Sequence, residues 1–178
     1  MIDKILDKLG IQLNPMQEET MHAVLHGNKD VVVLSPTGSG KTLAYLMPLV
    51  QLIDPKVDEP QLVVVTPGRE LALQSTEVLK SMGTGLRTMA CYGGRAAMDE
   101  HRVMNKVLPQ VIFGTPGRLT DHLDKGNFSA EHVKYLVMSG DGFPGRDGSS
   151  DSFIALSGAS FLALCYGGGG DSEIRPHG

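Results

Sequence analysis

The chain has 178 residues, 41% of them hydrophobic and 20% charged, with a net charge of −4. That length suits one domain with a sizeable core, and the acidic balance excludes a protein that grips nucleic acid by bulk electrostatics, so any such grip has to be local. Two cysteines without paired spacing, the lack of a signal-peptide pattern and the lack of an uninterrupted bilayer-length apolar run lead to the expectation of a cytoplasmic protein with no membrane segment.

In chain order, Met1 to Gly10 reads as a charged amphipathic helix. His22 and His26 then share a helix face, but with no third ligand beside them they read as surface residues rather than a metal site. The apolar run Val31 to Leu34, the loop Ser35-Pro36-Thr37-Gly38-Ser39-Gly40-Lys41-Thr42 and the periodic segment Leu43 to Ile53 read as strand, glycine loop and helix. In that context the loop is a phosphate cradle. Its glycines let backbone N–H groups face one anion, the helix N-terminus adds partial positive charge, Lys41 reaches the outer phosphates and Thr42 offers a hydroxyl to Mg²⁺. Ser35 stands where the general pattern has its first Gly.

Further β-rich runs follow at Gln61 to Thr66, Leu86 to Cys91, Gln110 to Phe113 and Val133 to Met138, alternating with helical patterns. This is the signature of a mostly parallel α/β sheet flanked by helices. Met98 to Met104, with Asp99, Glu100, His101 and Arg102, is expected to be a solvated helix with an apolar edge. Three strand-to-helix junctions carry anion-binding chemistry: Thr66-Pro67-Gly68-Arg69-Glu70-Leu71-Ala72, Tyr92-Gly93-Gly94 and Thr115-Pro116-Gly117-Arg118. In the third, a capping hydroxyl, a first-turn Pro, an exposed Gly N–H and a basic side chain together suit a phosphate. Taken singly, each junction reads equally as an ordinary helix cap or turn. From Ser139 the composition turns to Gly, Ser and Asp, which divides the chain into a domain over 1–138 and a tail over 139–178.

In this order and spacing, the motifs over residues 1–138 resemble the first RecA-like domain of the DEAD-box RNA helicases. Asn14-Pro15-Met16-Gln17 resembles the family's Q motif, with Asn14 in place of Thr or Ser; Gln17 matches the glutamine that reads adenine, whose amide can donate to one edge atom and accept from another. Ser35 to Thr42 matches the nucleotide loop. Pro67, Gly68 and Arg69, Gly93 and Gly94, and Thr115, Pro116, Gly117 and Arg118 match the segments that hold the RNA backbone. The resemblance implies a P-loop domain of RecA-like fold, incomplete at its C-terminal end, that takes ATP and Mg²⁺. It also implies a monomer that binds RNA through its sugar-phosphate backbone without sequence preference.

The family's acidic motif, Val-Leu-Asp-Glu-Ala-Asp, does not follow the Val133 to Met138 strand. Asp141 in Ser139-Gly140-Asp141-Gly142 has no second carboxylate beside it and is not assigned the role, so no catalytic residue is expected. Read one nucleotide later, the codons open to Met138 to Gly148 permit Cys-Leu-Glu-Met-Gly-Phe-Gln-Asp-Glu-Met, and those open to Phe161 to Gly167 permit Phe-Leu-Leu-Ser-Ala-Thr, the family's third motif. The reading is a frame-shifting deletion, or a gene-model error of equal effect, that removed the acidic motif and scrambled the tail. Leu162 to Cys165 either fills the place of the lost Ser-Ala-Thr strand or stays disordered, with its apolar composition favouring the strand. Ser139 to Ser152 and Gly167 to Gly178 are expected to be irregular. Two function classes follow: an RNA helicase half that hydrolyses ATP, and an ATP- and RNA-binding module that does not. An unstable product is the third reading.

Overall fold

The computed structural model describes residues 1–27, 30–35, 38–139, 161–167 and 173–177. The helices are α1 (Ile2–Leu9), α2 (Pro15–His26), α3 (Lys41–Leu49), α4 (Arg69–Ser81), α5 (Ala97–Val107) and α6 (Pro116–Asp124). The strands are β1 (Asp30–Ser35), β2 (Leu62–Val65), β3 (Thr88–Cys91), β4 (Val111–Gly114), β5 (Tyr135–Ser139), β6 (Phe161–Gly167) and β7 (Glu173–His177). They form a 7-stranded sheet in the order β3-β4-β2-β5-β6-β1-β7. Every pairing is parallel except that of β7 with β1. Successive parallel strands need crossovers, and α3 to α6 supply those from β1 to β5.

β2 and β4 are buried along their whole length, as the interior of a parallel sheet covered on both sides requires. Along β2, Leu62 and Val64 join one core with Val31, Val33, Tyr45, Leu46, Leu49, Leu79 and Phe113. Val63 and Val65 point the other way, into a second core with Met89, Met104, Ile112, Leu119 and Phe128. The period of two that separates these cores is the pleat itself. The amino-terminal amphipathic helix is α1, stopped by Gly10 in the left-handed region (φ 66°) and buried at Ile5. The expected helix over Leu43 to Ile53 is shorter: α3 ends at Leu49 and continues as a 3-10 turn, Val50–Leu52. Pro48 lies in the last turn of α3, where its missing amide removes a helical hydrogen bond and the chain tightens.

The apolar tail segment does fill the gap. β6 lies between β5 and β1, pairing Val137 with Ala163 on one side and Val31 with Ala163 on the other. The expected irregularity of Gly167 to Gly178 is corrected: Gly167 closes β6, and Glu173–His177 forms β7 antiparallel to β1. The composition is glycine-rich, but the short run Glu173 to His177 contains no Gly and meets the open side of β1, whose backbone groups need partners. The corresponding expectation for Ser139 to Ser152 is corrected at Ser139, which closes β5, and the rest of it, including Asp141, lies outside the described residues.

The two tail strands should differ in their tolerance of proline. Pro176 stands opposite Val31, so its alternation partner along the edge strand, Ile174, also turns its backbone away from β1. Ala163→Pro in the interior strand β6 should lower unfolding free energy by about 1–3 kcal/mol through a buried ladder group left unpaired. Ile174→Pro should cost distinctly less. Urea denaturation followed by far-UV circular dichroism checks both, and equal losses would contradict the interior placement of β6.

Candidate functional site

Because β1 to β6 run parallel, their carboxyl ends share one edge of the sheet, where open α/β folds bind ligands. The loop Ser35 to Thr42 leaves β1 there, Thr66 to Ala72 leaves β2, Tyr92 to Gly94 leaves β3 and Thr115 to Arg118 leaves β4. Of the expected site residues, Pro36 and Thr37 lie outside the described residues.

At the nucleotide loop, Gly38 (φ 80°) and Gly40 (φ 86°) both adopt left-handed backbone. Gly38 has open space where a side chain would be, whereas a Cβ on Gly40 would run into the amide of Gln17. Ser35 is fully buried and its hydroxyl bonds that of Ser39 at 2.6 Å, while Lys41 Nζ donates to the Ser35 carbonyl at 2.8 Å. The first-position Ser is thus part of the loop's internal bracing. α3 starts at Gly40 with no side-chain cap and no acidic residue in its first turn, so its leading N–H groups and Lys41 face the loop.

Asn14 and Gln17 hold this loop from the side. They form a complete capping box on α2, and each reaches across to the loop backbone: Asn14 Nδ2 donates to the Ser39 carbonyl at 2.9 Å and Gln17 Nε2 to that of Gly40 at 3.2 Å. Asn14 fits where the family has a hydroxyl residue because its amide caps with oxygen and tethers with nitrogen. The Gln17 side chain uses one acceptor position on the Asn14 N–H (3.0 Å) and one donor on Gly40. An amide has two of each, so one donor and one acceptor remain for a base edge. These residues fit ATP. For Mg²⁺ the Thr42 hydroxyl would offer one oxygen of the kind this hard cation takes.

The other three junctions are brought together around Tyr92. The guanidinium carbons of Arg69 and Arg95 lie 5.4 and 5.0 Å from its ring centroid. Arg69 is exposed. Gly68, Gly93, Gly94 and Gly117 have nothing within 4 Å of where a Cβ would sit, so ligand can approach their backbone closely. Pro67 is exposed and Pro116 occupies the first turn of α6. Thr115 is the N-cap residue of α6, but its hydroxyl makes no cap bond; its N–H instead donates to the Cys91 carbonyl at 3.0 Å. The expected capping hydroxyl is therefore corrected, and α6, like α3, opens with neither a side-chain cap nor an acid in the first turn.

The residue that sequence reasoning missed is Glu100. The expectation of a solvated Met98 to Met104 helix holds for Asp99 and Arg102 on α5, but Glu100 is fully buried. Its Oε2 accepts from the Tyr92 N–H at 2.8 Å and Arg95 Nε at 3.3 Å, and its Oε1 from Arg118 Nη1 at 3.3 Å and His122 Nε2 at 2.8 Å. Asn127 Nδ2 meets His122 Nδ1 at 2.9 Å, which sets the ring as acceptor there and donor to Glu100. Nothing in the sequence marks this: the donors come from two separate segments, 92–95 and α6. Cys91, Glu100 and His122 offer ligand atoms within 4.8 Å of one another, yet the carboxylate's acceptor positions are filled by internal donors and two guanidinium groups would repel a cation. Burial, and then the Glu100 charge, push the Cys91 thiol up to about 12, so it behaves as a small core residue. Across the sheet edge, β5 ends on Met138 and buried Ser139 rather than on a carboxylate.

Burial pushes the Glu100 carboxyl up, but its hydrogen bonds from His122 and the Tyr92 N–H and the charges of Arg118 and Arg95 outweigh that and hold it below the usual range. A folded pKa below the unfolded one means stability fully present above about pH 4.3 and lost as pH falls through the folded value. The groups facing it are Cys91, Arg95, Arg118 and His122. Denaturation midpoints should fall below about pH 4 in the parent chain, and Glu100→Gln should start lower at neutral pH but show a flatter acid limb. Parallel acid limbs would show that another group carries the effect.

Comparison with known proteins agrees with this geometry. The DEAD/DEAH box helicase family model matches residues 14–139. The chain is 38% identical over 137 residues to the ATP-dependent RNA helicase DeaD of Escherichia coli (strain K12), covering 75% of this chain and 22% of that protein. It is 38% identical over 138 residues to the DEAD-box ATP-dependent RNA helicase CshA of Geobacillus kaustophilus (strain HTA426), covering 76% and 29%. It thus spans less than a third of either relative. The structure of Mss116p (NTE and C-tail double deletion) bound to ssRNA and AMP-PNP superposes with a TM-score of 0.79 at 26% identity, covering 96% of this chain and 38% of that one. With its motifs in register on one edge of a RecA-like sheet, the chain belongs to the DEAD/DEAH box helicase family.

Proposed function

We propose that this chain is the ATP- and RNA-backbone-binding half of a DEAD-box ATP-dependent RNA helicase, and that as it stands it binds ATP with Mg²⁺ and RNA without turnover. The observation that carries the binding reading is the nucleotide loop: an uncapped helix N-terminus, Lys41 at its first position and Gln17 with one donor and one acceptor in reserve. In this reading Ser35 to Thr42 wrap the phosphates, Thr42 offers its hydroxyl to Mg²⁺ and Gln17 selects adenine. Pro67, Gly68, Arg69, Gly93, Gly94, Thr115, Pro116 and Gly117 line the RNA path. Backbone recognition through open glycines fits RNA of any sequence. The chain is read as a cytoplasmic monomer.

When bound, ATP supplies the phosphoanhydride whose cleavage drives release of RNA in a complete helicase. For that step a carboxylate must position and deprotonate water, and β5 ends on Met138 and Ser139 instead. This observation favours the binding module over the enzyme. The tail from Ser139 onward is read as frame-shifted, a reading that transcript sequence across the Met138 codon decides.

Three measurements test the proposal. Lys41→Ala should weaken binding of a fluorescent ATP analogue while leaving the circular dichroism spectrum unchanged; undiminished affinity would remove the phosphate role. The parent should prefer ATP to GTP, and Gln17→Ala should lose about 1–3 kcal/mol of that preference. RNA-stimulated hydrolysis should stay near background, since a general base contributes on the order of 10²–10⁴-fold and an arginine finger about 10³–10⁵-fold. Robust turnover abolished by Lys41→Ala would overturn the non-catalytic reading.

A further inference from the structure

We infer that Arg118 and Glu100 are positioning residues of the RNA-backbone site: they lock the Tyr92 to Arg95 segment onto α6, and the phosphates are met by Arg69 and by backbone N–H groups. This rests on the RNA reading above and changes the role that the family resemblance gives to Arg118.

The Arg118 guanidinium is turned onto the protein rather than to solvent. Its side chain is 14% exposed. One terminal nitrogen donates to Glu100 Oε1 at 3.3 Å and the other to the Arg95 carbonyl at 2.8 Å, a fork closed on two partners of the same segment. A guanidinium is a rigid planar donor, so turning it to a phosphate would break both bonds and leave buried Glu100 with Arg95 as its remaining guanidinium partner. Arg69 differs in each respect: it is exposed and stacks on Tyr92, with no side-chain hydrogen bond among the described residues.

Glu100 is the hub that makes the lock. A carboxylate has about four acceptor positions, and here Tyr92 N–H, Arg95, Arg118 and His122 take them. The Tyr92 N–H immediately precedes Gly93 and Gly94, and Gly94 adopts φ 96°, so the turn that would present their N–H groups is pinned at its entry. Its exit is pinned by the Arg95 side chain, which also donates to the Ala90 carbonyl at 3.3 Å, and by the Arg95 carbonyl on Arg118. Two glycines are floppy by themselves, and holding both ends of their turn lowers the ordering entropy left to RNA binding. One carboxylate against two guanidinium groups leaves the turn with net positive charge, which suits a polyanion.

The salt dependence of RNA binding separates the two roles, because each phosphate ion pair on single strands contributes about 0.7 to the slope of log K against log salt. Affinity of the full chain for a fluorescein-labelled oligouridine, with AMP-PNP present, is measured by anisotropy over about 50–200 mM salt. Arg69→Ala should weaken binding and flatten the slope by about 0.7. Arg118→Ala and Arg118→Lys should each weaken binding on the order of tenfold with the slope unchanged, since Lys cannot reproduce the fork. Glu100→Gln should give a similar loss, and combining it with Arg118→Ala should add nothing further. If Arg118→Lys retains affinity, or Arg118→Ala flattens the slope by about 0.7, Arg118 is a phosphate ligand and the inference is overturned. Should Glu100→Gln fail to fold, the two Arg118 variants decide alone. If the parent does not bind the oligouridine at all, the RNA reading fails first and the inference with it.

Discussion

The site depends on one strand in the middle of the sheet. β1 carries the nucleotide loop, while β2, β3 and β4 carry the junctions around Tyr92, and in the order β3-β4-β2-β5-β6-β1-β7 the two groups are joined through β5 and β6, with β6 the strand beside β1. Parallel strands hold each other at a fixed spacing and slant, so the relative height of the loop and the junctions is set by hydrogen-bond register. Ser35 pairs with Gly167, Cys165 with Ser139, Met138 with Val65 and Val65 with Gly114. This chain of partners runs along the binding edge itself. Here an apolar segment beyond the stretch matched by the family model fills that place, because an interior parallel strand demands apolar composition more than particular side chains.

Helix starts divide along similar lines. α2 is closed by a reciprocal capping box, which uses the donors that an anion would otherwise find. α3 and α6 open without caps or acids. The first is stiffened by Asn14 and Gln17 reaching in from α2, the second by the Glu100 cluster reaching in from α5. In both cases a neighbouring helix supplies the rigidity that a cap would have supplied, and the N–H groups stay available. Preorganisation of this kind lets a backbone site hold phosphate without a large positive charge, in keeping with an acidic chain.

Much of this was legible in the residues. Continuous apolar runs such as Leu62–Val65 read as strands buried on both faces, and the Gly-Lys-Thr loop carries its chemistry in its own spacing. What sequence could not show were interactions between distant segments. Glu100 sits among Asp99, His101 and Arg102, so local composition makes it a surface residue; only the return of α6 beside α5 brings Arg118 and His122 to it. The Thr115 hydroxyl looked like a cap because caps are local, yet the backbone beside it is fixed by Cys91 on the neighbouring strand. β7 was missed because glycine content was averaged over a segment whose last residues contain none until Gly178.

β7 has a consequence for how the folded chain meets other chains. A sheet edge with unpaired amides is a template for strand addition and aggregation. Among the described strands the edges are β3 and β7. β3 is only four residues long, Thr88–Cys91, and its neighbour Arg87 forms an ion pair with Asp58 at its start. β7 carries Pro176, which has no amide to offer on the outward side, with charged Glu173 and Arg175 along the same short run. Both ends of the sheet are therefore poor templates, which disfavours self-association through strand exchange.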